Sequence, residues 1–175
     1  VEENTNYILM SYAYWRRSGD FSRVQRHAEI IERALQFVLR CDTTGNGVPN
    51  EGMANTIDDA SPAVQFGREQ IYLAVKALAA LEVGAEMLQA AGLKDHLSTY
   101  LRQAEKIRQV ISQKGWQKDH FVTLLDPSPH GVVDAWSGKT FEGDELPGWD
   151  AAHIYTANGL PLLDMLGRNV GMEED

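Results

Sequence analysis

The sequence predicts a mainly α-helical protein built from helical hairpins, and three observations carry that prediction. Apolar residues recur at three- and four-residue spacing over much of the first 113 residues. The breaks fall at Ser18-Gly19 and Gly92-Leu93-Lys94, turns short enough to leave neighbouring helices antiparallel. Strand character is confined to a stretch after Lys114-Gly115.

The first helix repeats Tyr7, Met10 and Tyr14 and ends near Ser18-Gly19. Asp20 is placed to cap the second, whose apolar face is Val24, Ile31, Leu35 and Val38, with His27 beside them. A connector then runs from about Asp42 to Gln65. It exceeds the roughly 12–15 residues beyond which loops in compact domains are usually functional or disordered. Its Val48, Met53, Ile57 and Val64 favour an ordered loop, so chemistry is expected there. The third helix holds Ile71, Ala74, Leu78, Leu81, Ala85 and Leu88 in register, with Arg68 and Glu69 beginning a solvated face and Gly92 ending it. Asp95 is expected to cap a fourth helix striped by Leu97, Tyr100, Ala104, Ile107 and Ile111. The two hairpins therefore span about 4–41 and 66–113. Beyond them, His120-Phe121-Val122-Thr123-Leu124 reads as a short strand, residues 126–148 as irregular, and Trp149 to Arg168 as a return to helix. Gly159 and Pro161 blur where that helix begins.

Composition narrows the function classes. The chain has 175 residues, a net charge of −9 and 43% hydrophobic residues, an ordinary globular mixture. The acidic balance argues against nucleic acid, whose phosphates need a Lys/Arg surface. No run approaches the roughly 20 apolar residues that span a bilayer. The single cysteine, Cys41, forms neither an internal bridge nor a cysteine-based zinc site. His120 and His130 lack metal-like partners at fixed spacing. No nucleophile elbow, P-loop or dinucleotide fingerprint is present. Nothing here fixes a compartment. The start at Val1-Glu2-Glu3-Asn4, without Met or signal peptide, reads as a piece of a longer protein. Exposed apolar helix faces and self-association are then expected.

Three constellations stand out, each with two readings. Asp42, Thr44 and Asn46 alternate before Gly47, like the start of a calcium loop, but the twelfth position that needs a bidentate carboxylate is Met53, with Glu51 the nearest substitute. The other reading is an Asx/Gly turn closing the preceding helix. Asp58 and Asp59 are adjacent, so in extended backbone they point to opposite sides. Either is a general acid if burial raises its pKa, or a cap for the helix after Ser61-Pro62. Trp149, Asp150 and His153 suit a sugar ring, or else a core tryptophan followed by a helix cap.

An ordered set of motifs carries a resemblance. It is a helical hairpin, then Asp42 with Gly45-Asn46-Gly47-Val48-Pro49, then Thr56-Ile57-Asp58, then a helix with Tyr72-Leu73-Ala74-Val75-Lys76. This resembles the catalytic region of the helical-barrel glycoside hydrolases of families 52 and 116, the β-xylosidases and β-glucosidases of one clan. It also resembles the glutaminase-like families with the same helical barrel, where a T-D-D motif precedes a comparable helix. Val1-Glu2-Glu3-Asn4 is closer to the latter. The resemblance covers about residues 1–92 and, more weakly, 148–167. Ile57 stands where the glycosidases usually carry Tyr, and Asp59 also departs from their pattern.

The glycosidase resemblance implies a six-hairpin (α/α)6 toroid, with residues 1–175 one part of a single catalytic domain and its upstream portion missing. It implies a retaining hydrolase of β-linked glucosides or xylosides. Asp58 would be the general acid/base, and the nucleophilic Glu would lie upstream, so this chain alone would be inactive. Thr56, Asp59, Glu51 and Arg68 are then candidates for holding substrate or tuning Asp58, with Trp149, Asp150 and His153 closing the same end. No cofactor is implied. The other classes are a glutaminase-like amidohydrolase and a non-catalytic module binding a carbohydrate or a protein.

Overall fold

Helix α1 (Glu2–Ser18) carries Glu2 and Glu3 in its first turn and Arg16 and Arg17 in its last, a charge order that complements the helix dipole. It stops at Gly19, whose φ of 71° lets its N–H close back on Trp15 O at 2.9 Å. Helix α2 (Ser22–Arg40) follows; its cap position is Phe21, and Asp20 just before it accepts the Ser22 N–H at 2.9 Å on Oδ1. That bond, with Tyr14 and Arg26 nearby, holds the exposed Asp20 carboxyl below its ordinary pKa. The computed structural model describes residues 1–52, 62–117, 119–134, 137–152 and 159–171.

The chain continues through α3 (Pro62–Phe66), β1 (Arg68–Gln70), α4 (Ile71–Ala90) and α5 (Leu97–Val110), which widens into a π-turn at Ile111–Gly115. Strands β2 (Trp116–Gln117), β3 (His120–Phe121), β4 (Leu124–Asp126), β5 (His130–Val133) and β6 (Thr140–Glu142) follow, then α6 (Leu160–Asp164). The strands form three antiparallel pairs, β1 with β4, β2 with β3, and β5 with β6. Among the described residues no helix is long and apolar enough to cross a membrane.

Helix α4 is the axis of the fold. Its predicted stripe is buried, but so are Leu73, Val75, Ala77, Ala79, Ala80 and Val83 on its other sides. A helix apolar all round must be surrounded, and α1, α2 and α5 all pack on it. Its small residues set the spacing: a Cβ on Gly84 would lie 2.8 Å from the Leu35 methyls of α2. The two hairpins are therefore α1–α2 and α4–α5, packed into one core. A smaller cluster of Ala63, Leu124, Phe141 and Leu146 lies under the strands, with Trp149 between it and the main core.

Five local expectations change. The first-helix stripe Tyr7, Met10 and Tyr14 is exposed, because Ile8, Leu9 and Tyr12 face α4 instead. The stripe lines an apolar groove against Val24, His27 and Ile30 of α2. Residues 68–70 do not begin the third helix; Arg68 pairs with Asp126 and Gln70 with Leu124 as a strand. Asp95 does not cap α5, whose cap position is His96 at φ 66° with no side-chain bond to the helix. The irregular stretch holds the β5–β6 hairpin, bulged between His130 and Val132, a pair too short to show alternation in sequence. The last helix begins only at Leu160, after Gly159 at φ 103°.

The α3–β1 break is enforced at Gly67. A Cβ there would sit 2.3 Å from both Ala63 O and a Leu124 methyl, while the Gly67 N–H bonds Ala63 O at 2.9 Å. Gly67→Ala should therefore lower stability by about 1–3 kcal/mol through overpacking, measured by chemical denaturation. An unchanged midpoint would show that β4 yields freely.

Candidate functional site

The starts of α1 and α4 and the ends of α2 and α5 meet at one end of the helical core, and residues 42–52 of the connector pack against them. Its first part is built around Asp42. Oδ1 accepts the Gly45 N–H at 2.7 Å; Oδ2 accepts the Gly47 N–H at 2.8 Å and Gln103 Nε2 at 3.1 Å. Asn50 ties the loop to Thr43, receiving its N–H at 2.8 Å and donating to its Oγ1 at 2.9 Å. Val48 is fully buried and Val64 nearly so, as expected of an ordered loop, while Met53 and Ile57 lie outside the described residues. Asp42 thus works as the closing residue of an Asx-type turn, with its oxygens turned to the loop's own N–H groups. Among the described residues no group of three or more His, Cys, Asp or Glu is arranged to hold a metal.

Glu69 is the residue that periodicity alone misses. It adopts φ 53°, a left-handed conformation unusual for a non-glycine residue. Its Oε1 accepts Asn46 Nδ2 at 2.7 Å and Thr44 Oγ1 at 3.4 Å, clamping the connector to β1. Burial pushes its carboxyl above the ordinary pKa, and Asp126 adds to the rise while the Asn46 bond opposes it. The only sequence signal is that Arg68 and Glu69 directly follow a glycine that cannot extend the helix. Because the folded-state pKa is raised, the proton is held more tightly in the folded protein. Stability on this account is fullest below the ordinary value of 4.5 and falls as pH rises through the raised one. Glu69→Gln, which keeps an accepting Oε1, should flatten that part of the stability–pH curve, read from thermal unfolding at a series of pH values. An unaltered slope would sink this assignment.

Beneath the loop lies a buried polar cluster. Lys76 Nζ of α4 donates to Glu2 Oε1 at 2.9 Å, Asn6 Oδ1 at 2.8 Å and Tyr72 Oη at 2.9 Å. Tyr72 also donates to Glu2 Oε1. Beside the cluster the Val1 nitrogen donates to Gly52 O at 2.8 Å, and the Gly159 backbone approaches the Lys76 stem closely enough that a Cβ would lie 3.3 Å from its Cγ. Cys41 is buried beside Val1 and Leu73, and burial raises its thiol pKa, which keeps it protonated and unreactive.

Of the residues expected to form the site, Glu51 and Arg68 come together. They line one cleft of about 450 Å³ with Asn50, Gly52, Phe66 and Gly67. Trp149 does not present an open platform. Its ring is half-buried between the two apolar clusters, and its Nε1 donates to Glu145 Oε2 at 3.2 Å. Asp150 lies in a turn, not at a helix start, and its carbonyl is bonded to His120 Nε2 at 2.7 Å. Thr56, Asp58, Asp59 and His153 lie outside the described residues. The chain enters the first of those segments from Gly52, at the edge of the cleft.

No curated protein matches the sequence. The family model for the Glutaminase A six helical-hairpin domain matches residues 1–133, which take in both α-hairpins, the connector and strands β1 to β5. The match supports the glutaminase-like resemblance of the two drawn from sequence, and the chain belongs to the Glutaminase A six helical-hairpin domain family.

Proposed function

We propose that the chain is part of an amidohydrolase that releases ammonia from glutamine, its helices forming part of a six-hairpin toroid. Membership of the glutaminase-named family, over residues 1–133, is the observation that carries this reading. The chemistry is addition of water to the side-chain amide carbon, followed by departure of ammonia and formation of a carboxylate. Water must lose a proton and the amine must gain one, work suited to a carboxyl group. Asp58 or Asp59, in the segment entered from the cleft, supplies it.

The glycosidase reading has less to stand on. The tryptophan that would cover a sugar face is engaged in packing and with Glu145. The deciding experiment is an assay of the full-length protein on L-glutamine, with ammonia detected enzymatically, beside aryl β-glucoside and aryl β-xyloside. Ammonia release without aryl release is the expected result. Aryl release without ammonia would overturn the proposal in favour of a glycosidase.

A further inference from the structure

We infer that Glu51 and Arg68 are the specificity-determining pair of this site, reading the α-ammonium and α-carboxylate of a free amino acid; the inference rests on the amidohydrolase reading above. The two residues line the same cleft from opposite sides of the connector, Glu51 just before Gly52 and Arg68 just after Gly67. Their charges are opposite. Among the described residues neither side chain makes an ion pair or a side-chain hydrogen bond, so both charges are available to a ligand. The cleft's volume, about 450 Å³, falls within the range of small-molecule sites.

The backbone beneath both residues is fixed, which separates this pair from two mobile surface charges. The Glu51 N–H bonds Cys41 O at 3.0 Å, and Arg68 is held by its pairing with Asp126. The adjoining glycines leave no slack. A Cβ on Gly52 would meet Cys41 Sγ at 2.9 Å, and one on Gly67 would meet Ala63 O at 2.3 Å. Arg68 suits a carboxylate because a guanidinium donates two parallel N–H bonds to it, and Glu51 suits an ammonium as an acceptor-only group. A free amino acid carries both charges on one carbon. Glutamine within a peptide has lost both, and a neutral glycoside has neither. The pair therefore selects against both of those alternatives by leaving its own charges unmatched.

The test uses the full-length protein and three substrates: L-glutamine, its α-amide and N-acetyl-L-glutamine. Arg68→Gln should lower kcat/KM on glutamine by roughly 10–100-fold, the worth of a charge-assisted hydrogen bond, and leave the α-amide unchanged. Glu51→Gln should do the same for glutamine and spare N-acetylglutamine. Arg68→Lys should restore part of the loss. Equal losses on all three substrates would overturn the inference while leaving the amidohydrolase standing. So would a wild type that accepts N-acetylglutamine as well as glutamine. If glutamine is not hydrolysed at all, the amidohydrolase reading fails, and titration calorimetry with L-glutamine decides the cleft separately. Binding heat abolished by Arg68→Gln supports the pair; no heat with the wild type overturns it.

Discussion

Lys76→Met should lower the unfolding free energy by about 3–5 kcal/mol, the usual cost of leaving a buried charge without its partner. The Lys76 and Glu2 side chains are 5% and 8% exposed, so solvent cannot replace what is removed. The ammonium has three N–H groups and the structure gives each an acceptor, on Glu2, Asn6 and Tyr72. Methionine matches the shape of the stem but removes the positive charge beside the buried Glu2 carboxylate, which keeps only neutral support such as the Tyr72 hydroxyl. The attraction within the pair is not itself worth that much, because both charges were desolvated to form it. The double variant Glu2→Gln, Lys76→Met removes both charges and should recover much of the loss. Urea unfolding of the wild type, both single variants and the double measures the coupling. If the double variant is as unstable as the sum of the singles, the cluster is not acting as a unit and the argument fails.

The helical half of the fold was legible because it depends on a period. The stripe from Ile71 to Leu88 locates α4, and Ser18-Gly19 and Gly92 mark real turns. What the period does not tell is which face of a helix meets the core when two faces are apolar. Tyr7, Met10 and Tyr14 repeat at helical spacing, yet the neighbouring face of Ile8, Leu9 and Tyr12 is the one that is buried. Likewise, a buried lysine at position 76 has no local signature, since its partner Glu2 is 74 residues away. The strand at Arg68–Gln70 is set by a partner 54 to 58 residues onward, at Leu124 and Asp126, and by a contact at Gly67 that only tertiary packing creates. The connector was readable for a different reason. Asp42, Gly45 and Gly47 satisfy one another locally, so their spacing alone specifies the turn. Glu51 and Arg68 entered as candidates for holding substrate or tuning Asp58 only through the resemblance, and their sharing of one cleft depends on the α3–β1 corner that sequence did not foresee.

Asp58→Asn should cut kcat for ammonia release from glutamine by about 10²–10⁴-fold, the usual contribution of a positioned acid–base group. Asparagine keeps the size and hydrogen-bonding shape of aspartate but cannot take a proton from water and return it to the leaving amine. The loss should therefore fall on kcat more than on KM, and the limb of the pH–rate profile belonging to the carboxyl should vanish with it. Asp59→Asn is the internal control. Two adjacent residues in an extended backbone would direct their side chains to opposite sides, and a single pocket would then take one of the pair. One variant should then retain most of the activity, as expected for a residue outside the chemistry, while the other collapses. A collapse at Asp59 with Asp58 spared would move the acid by one residue and leave the amidohydrolase intact. Collapse of both, with no change in fold by circular dichroism, would mean that the two carboxyls share the proton traffic. Survival of both would remove this segment from the chemistry altogether. The half-buried Glu69, whose carboxyl is already pushed up in pKa beside the cleft residue Arg68, would then be the next acid to replace.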